Sequence, residues 1–409
     1  MKPLFYGWWV VAACVLFATI SWSLGVFGMG VYVYALTQGQ GFSISTVSIA
    51  VTSAYLVGAS CTVMVGRVIS RRGPRPVVAV GIVVMAAAVA ALPYCGQRWQ
   101  LHLAFVVLGL GMACLSTNTI GSTLAPWFER FQGRAMSTAM LGASIGGMIG
   151  TPLLIAGIRT WGFQTTTAVA AAVALIAVLP LAVWVLKSRP EDIGQCPDGI
   201  VTSSPQAVVT AAWGLGAAIA TRQFRSHVVA FGAGLMIQIG FLSHHVPIAI
   251  PVLGVQGAAT AVLVAAVAAF VGRLLQARYA DRIDARKTAA GMLLLASASL
   301  VAMALLPGAW ALMVSSITYG LTIGNVTTLA PMVIRREFGA ASFGVVFGLA
   351  AMLNQLAMAI GPMLFGVLRD LFGSYRQVLL MGSVLDVAAA FVIVWGGRRA
   401  LVSLDPRRL

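Results

Sequence analysis

The most informative shortage in this sequence is charge. Only 9% of the 409 residues are Asp, Glu, Lys or Arg, and just ten are acidic, whereas soluble domains carry about 25% charged residues. So few charged side chains cannot cover a chain of this length with a polar surface. Because 60% of the residues are hydrophobic, the composition excludes a soluble globular protein and predicts that a lipid bilayer covers most of the surface.

Patterns for disulfides, metals and nucleotides are also missing. No glycine-rich loop is followed by Lys-Ser or Lys-Thr, so the chemistry of an ATP-driven pump is absent. The acidic residues are scattered, which argues against the alternative of a membrane enzyme acting on lipid or polyprenyl substrates. The five cysteines lack metal-type spacing: Cys14, Cys61, Cys95, Cys114 and Cys196. We therefore expect no cofactor, no metal and no enzymatic activity.

The formal net charge of +16 is distributed in short clusters between apolar runs. A protein that binds nucleic acid would present a basic face or tail, and neither occurs here. The clusters fall in alternate connections, and the connections between them are nearly free of basic residues. Two of the clusters are Arg71, Arg72 and Arg75, and Arg278, Arg282 and Arg286. This alternation follows the positive-inside rule and predicts that both termini lie in the cytoplasm.

Apolar runs long enough to cross a bilayer, which takes ~20 residues, recur twelve times. The predicted spans are 8–34, 45–66, 77–94, 101–126, 134–157, 163–186, 224–250, 256–278, 287–306, 309–333, 341–367 and 376–396. The polar stretch 187–222 is predicted to be a cytoplasmic linker. We therefore predict an all-α membrane protein with one six-helix bundle at 1–186 and a second at 223–409, which ends in a short cytoplasmic tail.

The two halves share short motifs in the same order. Gly66-Arg67-Val68-Ile69-Ser70-Arg71 after span two matches Ala277-Arg278-Tyr279-Ala280-Asp281-Arg282 after span eight. Gly150 matches Gly361 at the same offset, and Leu124-Ala125-Pro126 recurs as Leu329-Ala330-Pro331. A parallel repeat of two six-span halves is typical of transporters that alternate access around a site between the halves.

Four motifs carry a family resemblance. They are Tyr6-Gly7-Trp8-Trp9, the loop from Gly66 to Arg75, Trp127-Phe128-Glu129-Arg130, and the linker from Arg189 to Gly199. With them the chain resembles a bacterial member of the major facilitator superfamily, in its monocarboxylate and oxalate/formate branch. The resemblance implies a secondary transporter of the bacterial inner membrane that moves a small organic anion by alternating access. Ser70 departs from the loop motif, which usually has Asp there, whereas Asp281 keeps it.

The loop motif and the helix-bending residues are candidates for conformational gating. Glycines four residues apart let helices approach closely, and glycine and proline can bend them. Gly142, Gly146 and Gly150 precede Pro152, and Gly361-Pro362 repeats the pattern, so we predict a hinge or packing seam between the halves. The full set of gating candidates is Gly66, Arg71, Gly73, Asp281, Arg282, Gly146, Gly150, Pro152, Gly361 and Pro362.

Arg273 lies inside span eight, about seven residues or ~10 Å of helix rise from its cytoplasmic end. An arginine at the centre of a span costs ~2.5–3.5 kcal/mol, which is tolerated if the side chain faces a watery cavity and a partner. Its planar fork suits a carboxylate. In the monocarboxylate transporters that this chain resembles, an arginine on the same helix binds the substrate carboxylate. The alternative is an arginine that reaches the cytoplasmic headgroups.

The substrate prediction follows from this single cation. Relatives that carry oxalate place a lysine on helix eleven, but 341–367 contains no Lys or Arg. A monocarboxylate is therefore favoured over an oxalate/formate-like exchange, with neutral or zwitterionic substrates left open. Further pocket candidates, each of which could instead make an interhelical hydrogen bond, are Tyr32, Tyr34, Asn118, Tyr319, Asn325, Asn354 and Gln355.

Proton coupling is an open option. Ala269 replaces the aspartate that accompanies the arginine in animal relatives. His244 and His245 titrate near neutral pH when unperturbed, and Asp386 is an intramembrane acid. Alternatively, the histidines line the outer mouth and Asp386 lies on a peripheral helix. We expect a monomer in the bilayer with a small organic anion and protons as partners; a receptor without flux is a further alternative.

Overall fold

The computed structural model describes residues 5–129, 131–199, 215–279 and 284–397. These residues contain ten helical segments that are long and apolar enough to cross a membrane. Two of them, Gln132–Val185 and Arg222–Gln276, have 54 and 55 residues, more than twice the ~20 that one crossing requires. Each bends at a glycine with positive φ, Gly162 at 79° and Gly254 at 67°. Each therefore makes two crossings, and the described chain has the twelve spans that hydropathy predicted.

We number the twelve membrane helices α1–α12 in chain order. Their bounds are Gly7–Gly39, Ile44–Arg72, Pro74–Ala91, Arg98–Leu124, 132–161, 163–185, 222–253, 255–279, Ala285–Leu305, 309–338, 340–372 and Tyr375–Gly396. The first helix is longer than the predicted 8–34. Three of the described helices are irregular: α1 contains a π-helical turn at Trp22–Val26, α4 breaks between Cys114 and Thr117, and α6 ends in a π-helical turn at Leu181–Val185.

Local sequence explains where many of these helices begin. The side chains of Ser43, Asp284 and Ser374 accept hydrogen bonds from the first free N–H groups of α2, α9 and α12, which is the usual role of N-cap residues. The tight connection between α10 and α11 is Gly339, with φ at 76°. Glycine fits there because it has no Cβ to clash in this region of backbone space.

The glycine series of α5 packs against α1, within the first half. A Cβ at Gly146 would lie 2.5 Å from the carbonyl oxygen of Thr19, and one at Gly150 would lie 2.6 Å from Cβ of Ser23. In the second half, a Cβ at Gly361 would overlap the carbonyl of Met236 on α7. The prediction of a seam between the halves is therefore wrong: small residues allow close backbone approach at any membrane helix pair, and here they join helices inside each half. Their gating role, and that of Pro152, stays a prediction.

The two halves meet through hydrogen bonds at the end of the bundle opposite the linker. The backbone N–H of Ser45 donates to Oδ2 of Asp370 over 2.8 Å, and that of Met363 donates to Oγ1 of Thr52 over 3.0 Å. Gly366 allows α11 to lie directly against Ser48, which a Cβ would overlap. Pro362, which has no N–H, interrupts the hydrogen-bond ladder of α11 next to this contact.

The first part of the linker lies on the N-terminal half. The carboxylate of Asp198 accepts hydrogen bonds from the backbone N–H groups of Glu129 at 3.1 Å and Phe131 at 3.4 Å, just before α5. Gly73, with φ at 78°, packs on Ser188. The limits 1–186, 187–222 and 223–409 stay a prediction, and the gating candidates Asp281 and Arg282 lie outside the described residues.

The beginning of the first-half loop motif, from Gly66 to Arg71, has few contacts among the described residues. Arg71 is exposed at the end of α2, and a Cβ on Gly66 would have no neighbour within 4 Å among the described residues. The side chain of Ser70 bonds only locally, donating to the carbonyl oxygen of Arg67 at 2.9 Å. A gating role for Gly66, Arg71 and Gly73 therefore remains a prediction.

Candidate functional site

Arg273 reaches from α8 across the interface between the two halves. Its Nη1 donates a hydrogen bond to Oγ of Ser144 on α5, at 3.1 Å. Room for the side chain comes from Gly324 on α10, where a Cβ would overlap the arginine stem. The side chain therefore points between the halves, and the alternative of a guanidinium that reaches the headgroups does not describe this conformation.

The charge of this guanidinium is not neutralised by a described side chain. The ion pairs found in the described part of the chain, Arg286 with Glu337 and Arg369 with Asp370, do not include Arg273. Ser144 offers only a neutral oxygen, and Nε of Arg273 is buried without a hydrogen-bond partner among the described residues. A buried charge without a counter-ion is costly. A carboxylate could neutralise the charge and accept from the free donor, so the site is suited to an anion.

A cavity of about 140 Å³ lies between α1, α2, α4 and α11. It is lined at the irregular parts of two helices: by Trp22 in the π-helical turn of α1, and by Asn118 just after the break in α4. Gln355 of α11 closes another side. Non-helical backbone inside a membrane is tolerated where it lines such a cavity. The structure thus brings two of the predicted pocket residues together, Asn118 and Gln355.

Arg273 itself is not part of the cavity wall, and the turn of α5 that bonds it packs on α1 with its other face. A Cβ at Gly146 would lie 3.1 Å from Cβ of Trp22, which lines the cavity. The hydroxyl of Ser23 donates to the carbonyl oxygen of Gly146 over 3.0 Å. Gly146 follows Ser144, the partner of Arg273, by two positions, or ~3 Å of helix rise. Residues two positions apart on a helix face opposite sides, so Ser144 faces α8 and Gly146 faces α1 on the other side of α5.

The predicted amides Asn325 and Asn354 do not line the cavity, although Asn325 packs on Gly272, the residue before Arg273. Nδ2 of Asn325 donates to the carbonyl oxygen of Leu321 at 2.9 Å and contacts the sulfur of Met292 at 3.4 Å, so it serves packing within the second half. Asn354 is buried and faces α7, near Gly232. Its Oδ1 has no hydrogen-bond partner among the described residues.

The three predicted tyrosines do not line the cavity either. Tyr32 is fully buried in α1, with its hydroxyl close to Gly28, and Tyr34 is half-buried on the same helix. The ring of Tyr319 on α10 packs against Phe241 on α7, with centroids 4.3 Å apart. Their assignment to the substrate therefore stays a prediction.

The two histidines of α7 are buried, with 0% and 1% exposure for His244 and His245. They do not line an open mouth in this conformation, contrary to the alternative stated above. Nε2 of His244 lies 3.1 Å from both Oγ of Ser48 and the carbonyl oxygen of Pro362, and Nδ1 lies 2.8 Å from the hydroxyl of Tyr375. His244 thus bridges the two halves.

His245 and Asp386 are confined to the second half. Nε2 of His245 lies 3.0 Å from Oγ of Ser316. Asp386 is 1% exposed, and neither of its carboxyl oxygens has a hydrogen-bond partner among the described residues. It faces α7 at Gly234. Neither residue contacts the Arg273 site or the cavity wall among the described contacts.

Sequence reasoning missed Ser144 and Trp22. Ser144 stands in a run of small residues that indicates only packing, so nothing marked it as the partner of an arginine. The break in α4 did have a signal: Ser116-Thr117-Asn118-Thr119 is a polar run in the middle of a span. Such residues compete for backbone hydrogen bonds, and Ser116 does cap the second part of α4.

Comparisons with known proteins show the family of the chain. Residues 11–362 match the family model of the Major Facilitator Superfamily. The chain is 28% identical over 363 residues to human monocarboxylate transporter 11, covering 84% of this chain and 73% of that protein. It is 26% identical over 333 residues to monocarboxylate transporter 13 of Rattus norvegicus, covering 80% and 74%.

Solved structures give the same fold. A bacterial homolog of the human lysosomal transporter Spinster, inward-facing and unoccupied, superposes with a TM-score of 0.76 at 14% identity, covering 98% of this chain and all of that one. Its inward-facing occupied form superposes with a TM-score of 0.73 at 16% identity, with the same coverage. The chain therefore belongs to the Major Facilitator Superfamily and is a transporter, related to the monocarboxylate transporters, rather than an enzyme.

Proposed function

We propose that this transporter moves a small organic anion, a monocarboxylate, across the bacterial inner membrane. The observation that carries the proposal is the guanidinium of Arg273, which spans the two halves and, among the described residues, hydrogen-bonds the neutral oxygen of Ser144 and no carboxylate. A fork of N–H donors without a counter-ion suits a carboxylate. The names of the relatives, monocarboxylate transporters 11 and 13, support the same substrate class.

Alternating access is supported by where the halves touch. Contacts such as Ser45 with Asp370 and Thr52 with Met363 join the end opposite the linker, and the positive-inside rule assigns the linker end to the cytoplasm. We infer that the described conformation is closed toward the outside. Rocking the halves about Arg273 would then open these contacts and expose the site to the other side. The inward-facing state of the similar Spinster homolog is consistent with this.

We expect Gly366→Val to favour the outward-open conformation. Any Cβ at this position would overlap Ser48 on α2, so the closed arrangement of α2 and α11 cannot form without a shift. The readout is the rate at which a membrane-impermeant maleimide labels a Thr52→Cys reporter, which is buried at this contact. Labelling from outside should be slow in the reporter alone and fast when Gly366→Val is added.

The matched control is Gly291→Val, because a Cβ there meets nothing within 4 Å. It should leave the labelling rate unchanged. Equal labelling of the reporter with and without Gly366→Val would contradict the assignment of this contact as the closed gate.

The transport proposal is tested with purified protein in liposomes. Labelled monocarboxylate should enter down its gradient, and an imposed inward proton gradient should raise accumulation if transport is proton symport. Uptake that requires oxalate or formate loaded inside would favour the exchanger. Binding without flux would identify a receptor, and absence of both for every monocarboxylate tested would contradict the function proposed here.

Proton coupling, if present, is proposed to involve His244 first, with His245 and Asp386 as further candidates. His244 is the one of these that bridges the halves, through Ser48, so rocking changes its surroundings. The charged neighbours at this end are Asp370 and Arg369. A monomer is proposed as the working unit.

A further inference from the structure

His244 lies at the centre of the contact that joins the two halves opposite the linker. Its ring is fully buried, at 0% exposure. Nε2 lies 3.1 Å from both Oγ of Ser48 on α2 and the carbonyl oxygen of Pro362 on α11. Nδ1 lies 2.8 Å from the hydroxyl of Tyr375 on α12. A titratable side chain of the second half is therefore enclosed by three helices, and one of them belongs to the first half.

The hydrogen-bond network assigns the protonation state of this ring. A carbonyl oxygen only accepts hydrogen bonds, so Nε2 must carry the hydrogen that it donates to Pro362. The hydroxyl of Ser48 donates to the carbonyl oxygen of Ile44 at 2.6 Å, which leaves the oxygen of Ser48 as a second acceptor for the same N–H. Nδ1 is then free to accept from the hydroxyl of Tyr375. The neutral imidazole therefore satisfies each of these contacts.

A protonated ring fits the same arrangement poorly. Nδ1 would become a donor, so Tyr375 would have to turn its hydroxyl hydrogen away from the ring. The charged groups near the ring are Asp370 and Arg369 of α11, and they pair with each other at 3.1 Å. The contact from α2 is the neutral hydroxyl of Ser48. A buried imidazolium would thus lack a counter-ion of its own, which is costly.

We propose that His244 is a proton-binding site that controls the outer gate. The inference rests on the alternating access proposed above, in which the halves separate at this end. Separation would move Ser48 away from the ring and admit water, and a hydrated imidazole binds a proton below about pH 6.5. External acid therefore favours the outward-open conformation, and the proton leaves again as the gate closes. Protons thus act on transport through this gate.

The test measures the distance between two spin labels on the purified full-length protein as the pH is varied. The labels are attached at Arg98→Cys in the first half and Leu306→Cys in the second, two exposed positions opposite the linker, after the five native cysteines are replaced. The ratio of open to closed molecules should rise about tenfold between about pH 7.5 and about pH 5.5. This is the linkage expected when a group that titrates at about pH 6.5 is protonated only in the open state.

His244→Gln is the decisive variant, because glutamine keeps an N–H that can reach Pro362 but does not titrate. Its ratio should be the same at both pH values, and a tenfold response in the folded variant would overturn the inference. The matched control is His245→Gln, at the neighbouring buried histidine that bonds Ser316 inside the second half, and it should respond as wild type does. If His244→Gln does not fold, the wild-type midpoint decides. A midpoint at about pH 6.5 supports His244, whereas one at about pH 4 assigns the response to an aspartate such as Asp370.

Gly366→Val separates this inference from the gate on which it rests. A Cβ at this position overlaps Ser48, so the variant should lengthen the distance between the labels at both pH values. If it does so and acid does not lengthen the distance in wild type, the gate stands and the proton site is wrong. If neither the variant nor acid lengthens the distance, the assignment of the closed gate fails and the inference fails with it.

Discussion

Arg273→Ala is expected to lower carboxylate affinity by about 10- to 100-fold, because a charge-assisted hydrogen bond contributes about 1.5–3 kcal/mol. The variant removes the guanidinium that meets Ser144 across the interface. The residues that line the described cavity between α1, α2, α4 and α11 include no charged side chain that could replace it. Uptake of labelled carboxylate into liposomes at low substrate concentration should fall by the same factor. The substitution also removes a charge from the membrane interior, so the protein should fold at least as well as wild type.

Two variants make this test specific. Arg273→Lys keeps the charge but loses the planar fork, so its affinity should lie between those of wild type and Arg273→Ala. Arg98→Ala removes an exposed arginine at the start of α4 and should transport normally. Undiminished uptake in folded Arg273→Ala would remove the basis for the anion site.

Arg286→Ala is expected to lower the free energy of unfolding by about 3 kcal/mol, the lower end of the range for breaking a buried ion pair, because the Glu337 side chain is 23% exposed. Arg286, on α9, bonds both carboxylate oxygens of Glu337 on α10, at 2.5 and 2.9 Å. It also donates to Ser226 and Gln223 near the start of α7 and to the carbonyl oxygen of Ile393 on α12. One side chain therefore ties four helices of the second half.

Unfolding in detergent, followed by the loss of tryptophan or scattering signal against denaturant, measures this effect. Glu337→Gln keeps a hydrogen-bond acceptor and should cost less than Arg286→Ala. Lys287→Ala changes the neighbouring, exposed basic residue and should unfold as wild type does. An Arg286→Ala protein with unchanged stability would show that the network does not hold the helices together.

The first half has a counterpart of this network. Nε of Arg75, at the start of α3, donates to the carbonyl oxygen of Leu186, at the end of α6, as Arg286 does to Ile393 near the end of α12. The repeat seen in the loop motifs thus includes a hydrogen bond from an arginine to a backbone carbonyl near the end of the last helix of each half. The two arginines differ in one respect. Arg286 also pairs with the carboxylate of Glu337, whereas the contact described for Arg75 is a backbone carbonyl.

The sequence alone determined the number of spans, the fold class and the family. Hydropathy suffices for this because a backbone in lipid must satisfy its hydrogen bonds within each helix, so a span is a local property of ~20 residues. An arginine inside such a span can also be recognised from sequence as a candidate functional residue, because placing its charge in the bilayer costs free energy that the surrounding structure must compensate. Arg273 could therefore be predicted to matter before any contact was known.

Only the tertiary structure showed which residues Arg273 and the glycines of α5 contact. Ser144 is more than a hundred positions from Arg273, and the glycines of α5 meet α1 rather than the other half. Nothing local distinguishes these contacts, because small residues permit close approach to any neighbouring helix and the choice depends on how all twelve helices pack. The cavity beside Trp22 likewise exists only where irregular turns of two separate helices face each other.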